Sequence, residues 1–218
     1  VFAKSSVSGR HTLECQKRFV KITSATIAQY PIKAVAVVAT PEATSSEACA
    51  IIFGMDAFDD LYAANAKFAQ NFGGSELTGR AARGLAVVTC MDSRIDPLGL
   101  LGLKPGDAKI LRNAGARVTD DVLRTLVLAV YVLGVERVLV MPHTDCGMAK
   151  VTDPDVHALT SARGVDTRSL EFHTVRDQSE ALRHDLTRIR TSPFLPADMP
   201  VAGAIYDVRT GLLKPSDY

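Results

Sequence analysis

An α/β fold, a mostly parallel sheet flanked by helices on both faces, is predicted by three observations. Short β-branched runs stand out along the chain, of the kind found in strands buried on both faces. They alternate with stretches of helical periodicity, the order that builds parallel sheets. Apolar residues make up 47% of the 218 positions, enough for a sizeable core, and no internal repeat or low-complexity tract interrupts them.

Residues 1–54 are poorly patterned. One apolar run, Ala34–Ala39, has no clear partner strand, and Pro41 opens a Thr/Ser/Glu/Ala stretch. The segment carries six basic residues against three acidic ones and contains serine, a composition open to a targeting role. Its apolar run is short for a signal-peptide core, so the blander reading is a disordered or non-native extension. Residues 55–218 are expected to form the folded domain, with Met55 as the native start.

From Ala57 to Phe72, Phe58, Leu61, Tyr62, Phe68 and Phe72 fit helical spacing, and Gly73–Gly74 stops the helix. Leu85–Thr89 is the first strand. Asp96-Pro97 predicts an N-cap followed by proline at the first helical position. Ala108–Leu111 is the second strand. Thr119 caps the next helix, Asp120 and Asp121 suit its positive end, and Gly134 ends it after Leu133. That helix is apolar nearly all round, which predicts burial on more than one side, against the sheet and a second subunit. Arg137–Met141 is the third strand. Asp153-Pro154-Asp155 opens a short helix ending near Gly164. Val175, Leu182, Leu186 and Ile189 mark one face of a longer helix that stops before Pro193. Val201–Val208 is the last strand, and Thr210-Gly211 turns the chain toward Leu212–Leu213.

The net charge of +1 gives no reason to expect nucleic acid or an acidic surface as partner. No run approaches the roughly 18 apolar residues of a membrane span. The cysteines Cys15, Cys49, Cys90 and Cys146 are too few for a disulfide scaffold. Two of them keep metal-ligand company, so a reducing compartment, the cytoplasm, is expected.

Two clusters carry chemistry. Cys90-Met91-Asp92-Ser93-Arg94 follows the first strand, and His143-Thr144-Asp145-Cys146-Gly147 follows the third. Both fall at carboxyl ends of parallel strands, where ligands gather beside the point at which strand order reverses. If the second strand lies outside the first, the first and third flank that crevice and the clusters meet. Two thiolates and an imidazole favour tetrahedral zinc. Three protein ligands leave a fourth position for water, whose pKa zinc lowers to about 7. Arg94 can fork onto Asp92 and hold it off the metal, leaving the carboxylate to accept a hydrogen bond from that water. Once the pair breaks, Asp92 can close the fourth position itself.

Bland readings stand beside these. A lone Cys or His is most often packing, and a purely structural zinc usually has four Cys or His ligands. No fourth stands nearby, since Cys15 and Cys49 lie in the poorly patterned segment. His157, His173 and His184 read as solvated or hydrogen-bonded histidines on helices or their ends. Asn113-Ala114-Gly115-Ala116 follows the second strand. It is either a plain tight turn or a place where backbone approaches a small ligand.

Cys-Met-Asp-Ser-Arg at 90–94, Arg112-Asn113-Ala114-Gly115 and His-Thr-Asp-Cys-Gly at 143–147 together resemble the β-class carbonic anhydrases. The 52 residues between Cys90 and His143, the helix start Val118-Thr119-Asp120-Asp121 and the ending Gly203–Tyr218 resemble a short bacterial subgroup. The similarity runs from about Met55 to Tyr218. It implies zinc on Cys90, His143 and Cys146, with an Asp92–Arg94 dyad. It implies reversible hydration of carbon dioxide to bicarbonate; Asn113, Ala114 and Gly115, which follow the second strand, are expected to line the substrate pocket. It further implies a homodimer or dimer of dimers with sites near the subunit interface. The chain has no Trp, so the Trp-Arg-Tyr bicarbonate pocket that regulates some members is not expected. Relatives that hydrolyse carbonyl sulfide or carbon disulfide use the same zinc set, which leaves that substrate as the alternative. A non-catalytic, zinc-stabilised binding protein is the alternative of another class, and Asp92-Ser93-Arg94 speaks against it.

Overall fold

The computed structural model describes residues 57–218, so the readings of residues 1–54, of Met55, and of Cys15 and Cys49 lie outside the described residues. The chain divides after Gly73 into two units. The described part of the first holds helix α1, Asp59–Ala69, with Asp59 and Asp60 at its positive end and Lys67 in its last turn. The expected helix reached Phe72. The chain does continue to that residue, but in tighter turns, Asn71 N–H to Phe68 O and Phe72 N–H to Ala69 O. No side chain of α1 is buried.

The second unit is built on a sheet in the order β2-β1-β3-β4-β5. Its strands are β1 (Leu85–Cys90), β2 (Ala108–Asn113), β3 (Arg137–Met141), β4 (Val201–Tyr206) and β5 (Leu213–Pro215). The pairs β1–β2, β1–β3 and β3–β4 are parallel, and β4–β5 is antiparallel. Between them lie α2 (Pro97–Leu100), α3 (Asp120–Tyr131), α4 (Asp153–Ser161) and α5 (Gln178–Arg190).

Side-chain alternation sorts the strands into two faces. Ala86, Val88, Val138 and Val140 meet Val122, Leu126 and Ala129 of α3 and Leu182, Leu186 and Ile189 of α5. Helix α5 lies so close to β4 that a Cβ at Gly203 would come 2.9 Å from Leu186 Cδ1. On the other face Val87 and Met141 pack with Ile95 and Ala116, joined by Leu100 and Leu101 at the end of α2.

Several expected boundaries move. The last long strand stops at Tyr206, because Asp207 caps the following turn: its Oδ1 accepts the Arg209 N–H at 2.9 Å. The segment beyond that turn, expected only as a turn toward Leu212–Leu213, forms the antiparallel edge strand β5. Val175 lies outside α5. It is buried in the preceding segment, its N–H donating to Met148 O, and Asp177 caps the helix by accepting from Glu180 N–H at 2.9 Å. Asp96 stands at the N-cap of α2, but its side chain makes no capping bond and the helix lasts a single turn. Thr119 does cap α3 through the Val122 N–H. That helix buries one stripe, while Leu128, Tyr131 and Val132 are exposed. Among the described residues no helix is long and apolar enough to cross a membrane.

Candidate metal centre

Strand order decides the site. β1 is paired with β2 on one side and β3 on the other, so the chain diverges at the carboxyl ends of β1 and β3. Cys90 is the last residue of β1, opposite Asn113. His143 follows β3 and bridges to Tyr206 at the end of β4. The Thr144 N–H donates to Tyr206 O, and the Val208 N–H donates to Thr144 Oγ1 at 3.2 Å, tying this segment to the β4 end. Gln178, the first residue of α5, donates its side-chain amide to His143 O.

The structure gathers Cys90, His143 and Cys146, their donor atoms all within 4.8 Å of one another and all three residues buried. His143 is completely enclosed. Its Nδ1–H donates to Thr144 O at 2.8 Å, which fixes the tautomer and leaves Nε2 with a lone pair. That Nε2 is buried without a hydrogen-bond partner. A buried acceptor left so costs about 1–3 kcal/mol, and a cation bonded to it removes the penalty. Two thiols and one imidazole nitrogen match the donor chemistry of zinc.

The thiols are set up unequally. Cys146 donates toward the Cys90 sulfur, as do the backbone N–H groups of Gly115 and Asp92. Together they pull the Cys90 thiol down against the opposing effect of burial. The Cys146 thiol is pushed up, chiefly by that bond to Cys90 and then by burial. A divalent cation would displace the remaining proton, as thiolate ligation requires.

Asp92 stands at the rim of this trio, its Oδ2 3.7 Å from His143 Nε2. Arg94 forks onto it, Nε–H to Oδ1 at 2.9 Å and Nη2–H to Oδ2 at 2.8 Å, and the Arg94 backbone N–H also donates to Oδ1. This clamp holds the Asp92 carboxyl below the usual carboxylate range.

Asn113–Ala116 is a turn and a close approach at once. The Asn113 amide donates to Arg117 O at 2.7 Å and accepts the Arg117 N–H at 2.9 Å, closing the loop. Gly115 (φ +79°) and Ala116 (φ +59°) are left-handed, and a Cβ at Gly115 would come 3.3 Å from Met148 Cγ. The turn aims the Gly115 N–H at the Cys90 sulfur. The Asn113 side chain is thus committed to the loop, and the loop meets the site through its backbone.

Other contributors have no local signature in the sequence. Arg112 of β2 donates to three carbonyls of the loop that carries Asp92: Cys90 O at 2.9 Å, Asp92 O at 2.6 Å and Ile95 O at 3.2 Å. Arg117 pairs with the buried Asp185 of α5 at 2.8 Å, anchoring the end of the Asn113 loop. Asp145 pairs with Arg94, and Lys150 pairs with Asp145. Only the motif's own residues hinted at any of them: Arg112 opens the second motif, and Asp145 lies between two ligands. Among the described residues the other three histidines stay apart from the trio. His157 Nδ1 lies 2.9 Å from Thr167 Oγ1, His173 faces Glu171 at 3.3 Å, and His184 is exposed.

A family model described as carbonic anhydrase matches residues 85–213. The β-carbonic anhydrase 1 of Mycobacterium tuberculosis is 38% identical over 162 residues, covering 73% of this chain and 98% of its own. A carbon disulfide hydrolase of an Acidianus species is 30% identical over 156 residues, covering 61% of this chain and 76% of its own. The crystal structure of a carbonic anhydrase from Streptococcus mutans superposes with a TM-score of 0.69 at 40% identity, over 72% of this chain and 96% of that one.

Proposed function

This chain belongs to the carbonic anhydrase family, in its β class, and on that premise we propose that it hydrates carbon dioxide reversibly to bicarbonate and a proton. The observation that carries the reading is the orphaned His143 Nε2 converging with two thiols beside an ionised carboxylate. Cys90 Sγ, His143 Nε2 and Cys146 Sγ would hold one zinc ion. When bound, zinc supplies the Lewis acidity that lowers the pKa of water to about 7.

The chain's own residues supply the remainder. Arg94 keeps Asp92 ionised, and Asp92 accepts a hydrogen bond from the attacking water, turning a lone pair of that water toward the substrate carbon. The Gly115 N–H keeps electron density on the Cys90 sulfur, and the Thr144 carbonyl fixes the His143 ring. Asn113, Ala114 and Gly115 are assigned to the pocket wall, where small side chains and backbone admit a small linear substrate. A purely structural centre would need neither Asp92 nor its clamp.

A second substrate is favoured by one specific observation, the similarity to a carbon disulfide hydrolase. Stopped-flow carbon dioxide hydration compared with sulfide release from carbonyl sulfide and carbon disulfide decides between them. Fast hydration with negligible sulfide release is expected, and the reverse ranking would assign the sulfur substrate.

The working assembly is proposed to be a homodimer or dimer of dimers, supported by the exposed Leu128 and Tyr131 of α3 and Val132 just beyond it. A cytoplasmic setting is proposed because the two site thiols must stay reduced. Residues 55–218 are proposed as the catalytic domain.

A further inference from the structure

Arg94 is held by a second carboxylate. While Nε and Nη2 serve Asp92, Nη1–H donates to Asp145 Oδ2 at 2.8 Å, and Nη2–H also reaches Asp145 O at 3.1 Å. Lys150 Nζ lies 2.5 Å from the other Asp145 oxygen, so the charges alternate along Lys150, Asp145, Arg94 and Asp92. Lys150 and Arg94, in that order, hold the Asp145 carboxyl down at about 2.

The backbone at Asp145 adds an independent observation. Its φ is +57°, the left-handed region, in the turn between His143 and Cys146. Glycine adopts that conformation freely, whereas any other L-residue meets a steric cost there. Aspartate is among the few other residues found in that conformation, and here it turns its side chain to the arginine of the dyad.

We propose that Asp145, steadied by Lys150, is a positioning residue that anchors Arg94 and thereby keeps the Asp92 carboxylate off the metal position. The proposal rests on the carbon dioxide reading above. Asp92 alone must hold a flexible guanidinium in one pose, whereas two carboxylates fix its plane and leave Asp92 a stationary partner. With Asp145 gone, Arg94 swings more freely and Asp92 spends more time turned away from its working pose.

The test is Asp145→Gly in the zinc-loaded full chain. Glycine relieves the left-handed backbone, so the variant should melt no lower than the parent. It should keep its zinc. Its kcat should fall about five- to tenfold with KM unchanged, since the lost interaction serves the transition state alone. Asp145→Asn, which tolerates the same backbone and keeps one acceptor oxygen, should recover part of the loss. The readout that needs no turnover is ¹⁵N NMR of the Arg94 side chain, assigned with Arg94→Lys. The parent should show separate, slowly exchanging Nη signals and Asp145→Gly averaged ones. Unchanged Arg94 signals overturn the proposal, and so do averaged signals with parental kcat. If the parent hydrates no carbon dioxide, the functional reading fails by itself, and the Arg94 signals still decide whether Asp145 holds the guanidinium.

Discussion

At the Asp92–Arg94 pair two donors of one guanidinium meet both oxygens of one carboxylate, so the pose of each residue depends on the other. Arg94→Ala should free Asp92 to reach the metal position, and Asp92→Asn should remove the anionic acceptor. Both variants should retain zinc while kcat drops by tenfold or more, about 1.4 kcal/mol or more of barrier. Parts of one device are non-additive, so the double substitution should cost about as much as either single one. A double loss equal in free energy to the sum of the single losses would mean that the two residues act independently. The dyad was legible because its members stand two positions apart beside a ligand. The second anchor of Arg94 was not, since nothing local marks Asp145 as its partner from 51 positions away.

Among the elements, α4 shows how helix ends carry the site's surroundings. Thr152 and Asp155 form a reciprocal capping box. Asp153, the first helical residue, accepts from Phe172 N–H at 2.8 Å, from Thr174 N–H at 3.1 Å and from the Thr174 hydroxyl at 2.6 Å. It thereby staples the segment leading to α5. The Thr174 hydroxyl first, then these amides, lower the Asp153 carboxyl to about 2, below the unfolded value of about 3.9. A depressed folded pKa contributes stability that is full above the unfolded value and is lost as pH falls through the folded one. Asp153→Ala should therefore cost about 1–2 kcal/mol near neutral pH, after allowance for partial exposure, and the gap should close between pH of about 4 and 2. Denaturant melts of both proteins across that range check it, and a gap that persists at the acid end would contradict the staple. β1, β3 and β4 were legible because each is apolar over most of its length, whereas β2, with Lys109 and Arg112, showed only a short apolar pair at Ile110 and Leu111. β5 was not, since its Leu-Lys-Pro has no periodicity and its place is set by pairing with β4. Val175 misled for a related reason: burial in a connecting segment mimics the stripe of the helix beside it.

Across the whole molecule, the order β2-β1-β3 converts two distant motifs into one centre, since it puts the ends of β1 and β3 side by side. The motif spacing made that convergence readable, because both clusters directly follow apolar runs. The network around it was less readable. Arg112, Gln178 and the Arg117–Asp185 pair reach the site from β2, from α5 and from the loop after β2, and such contacts follow from tertiary placement alone. A protein beginning at Met55 should fold, dimerise and hydrate carbon dioxide at the full-length rate, checked by sedimentation and stopped flow. An insoluble or inactive truncation would make residues 1–54 a working part of the domain. The central claim is that Cys90, His143 and Cys146 make a three-ligand zinc centre with an open fourth position. Zinc K-edge X-ray absorption on the purified, zinc-loaded protein tests it most directly. The expected spectrum fits two sulfur scatterers at about 2.3 Å and two nitrogen or oxygen scatterers at about 2.0–2.1 Å, one with imidazole character. A fit requiring three or four sulfurs, or none, would contradict it.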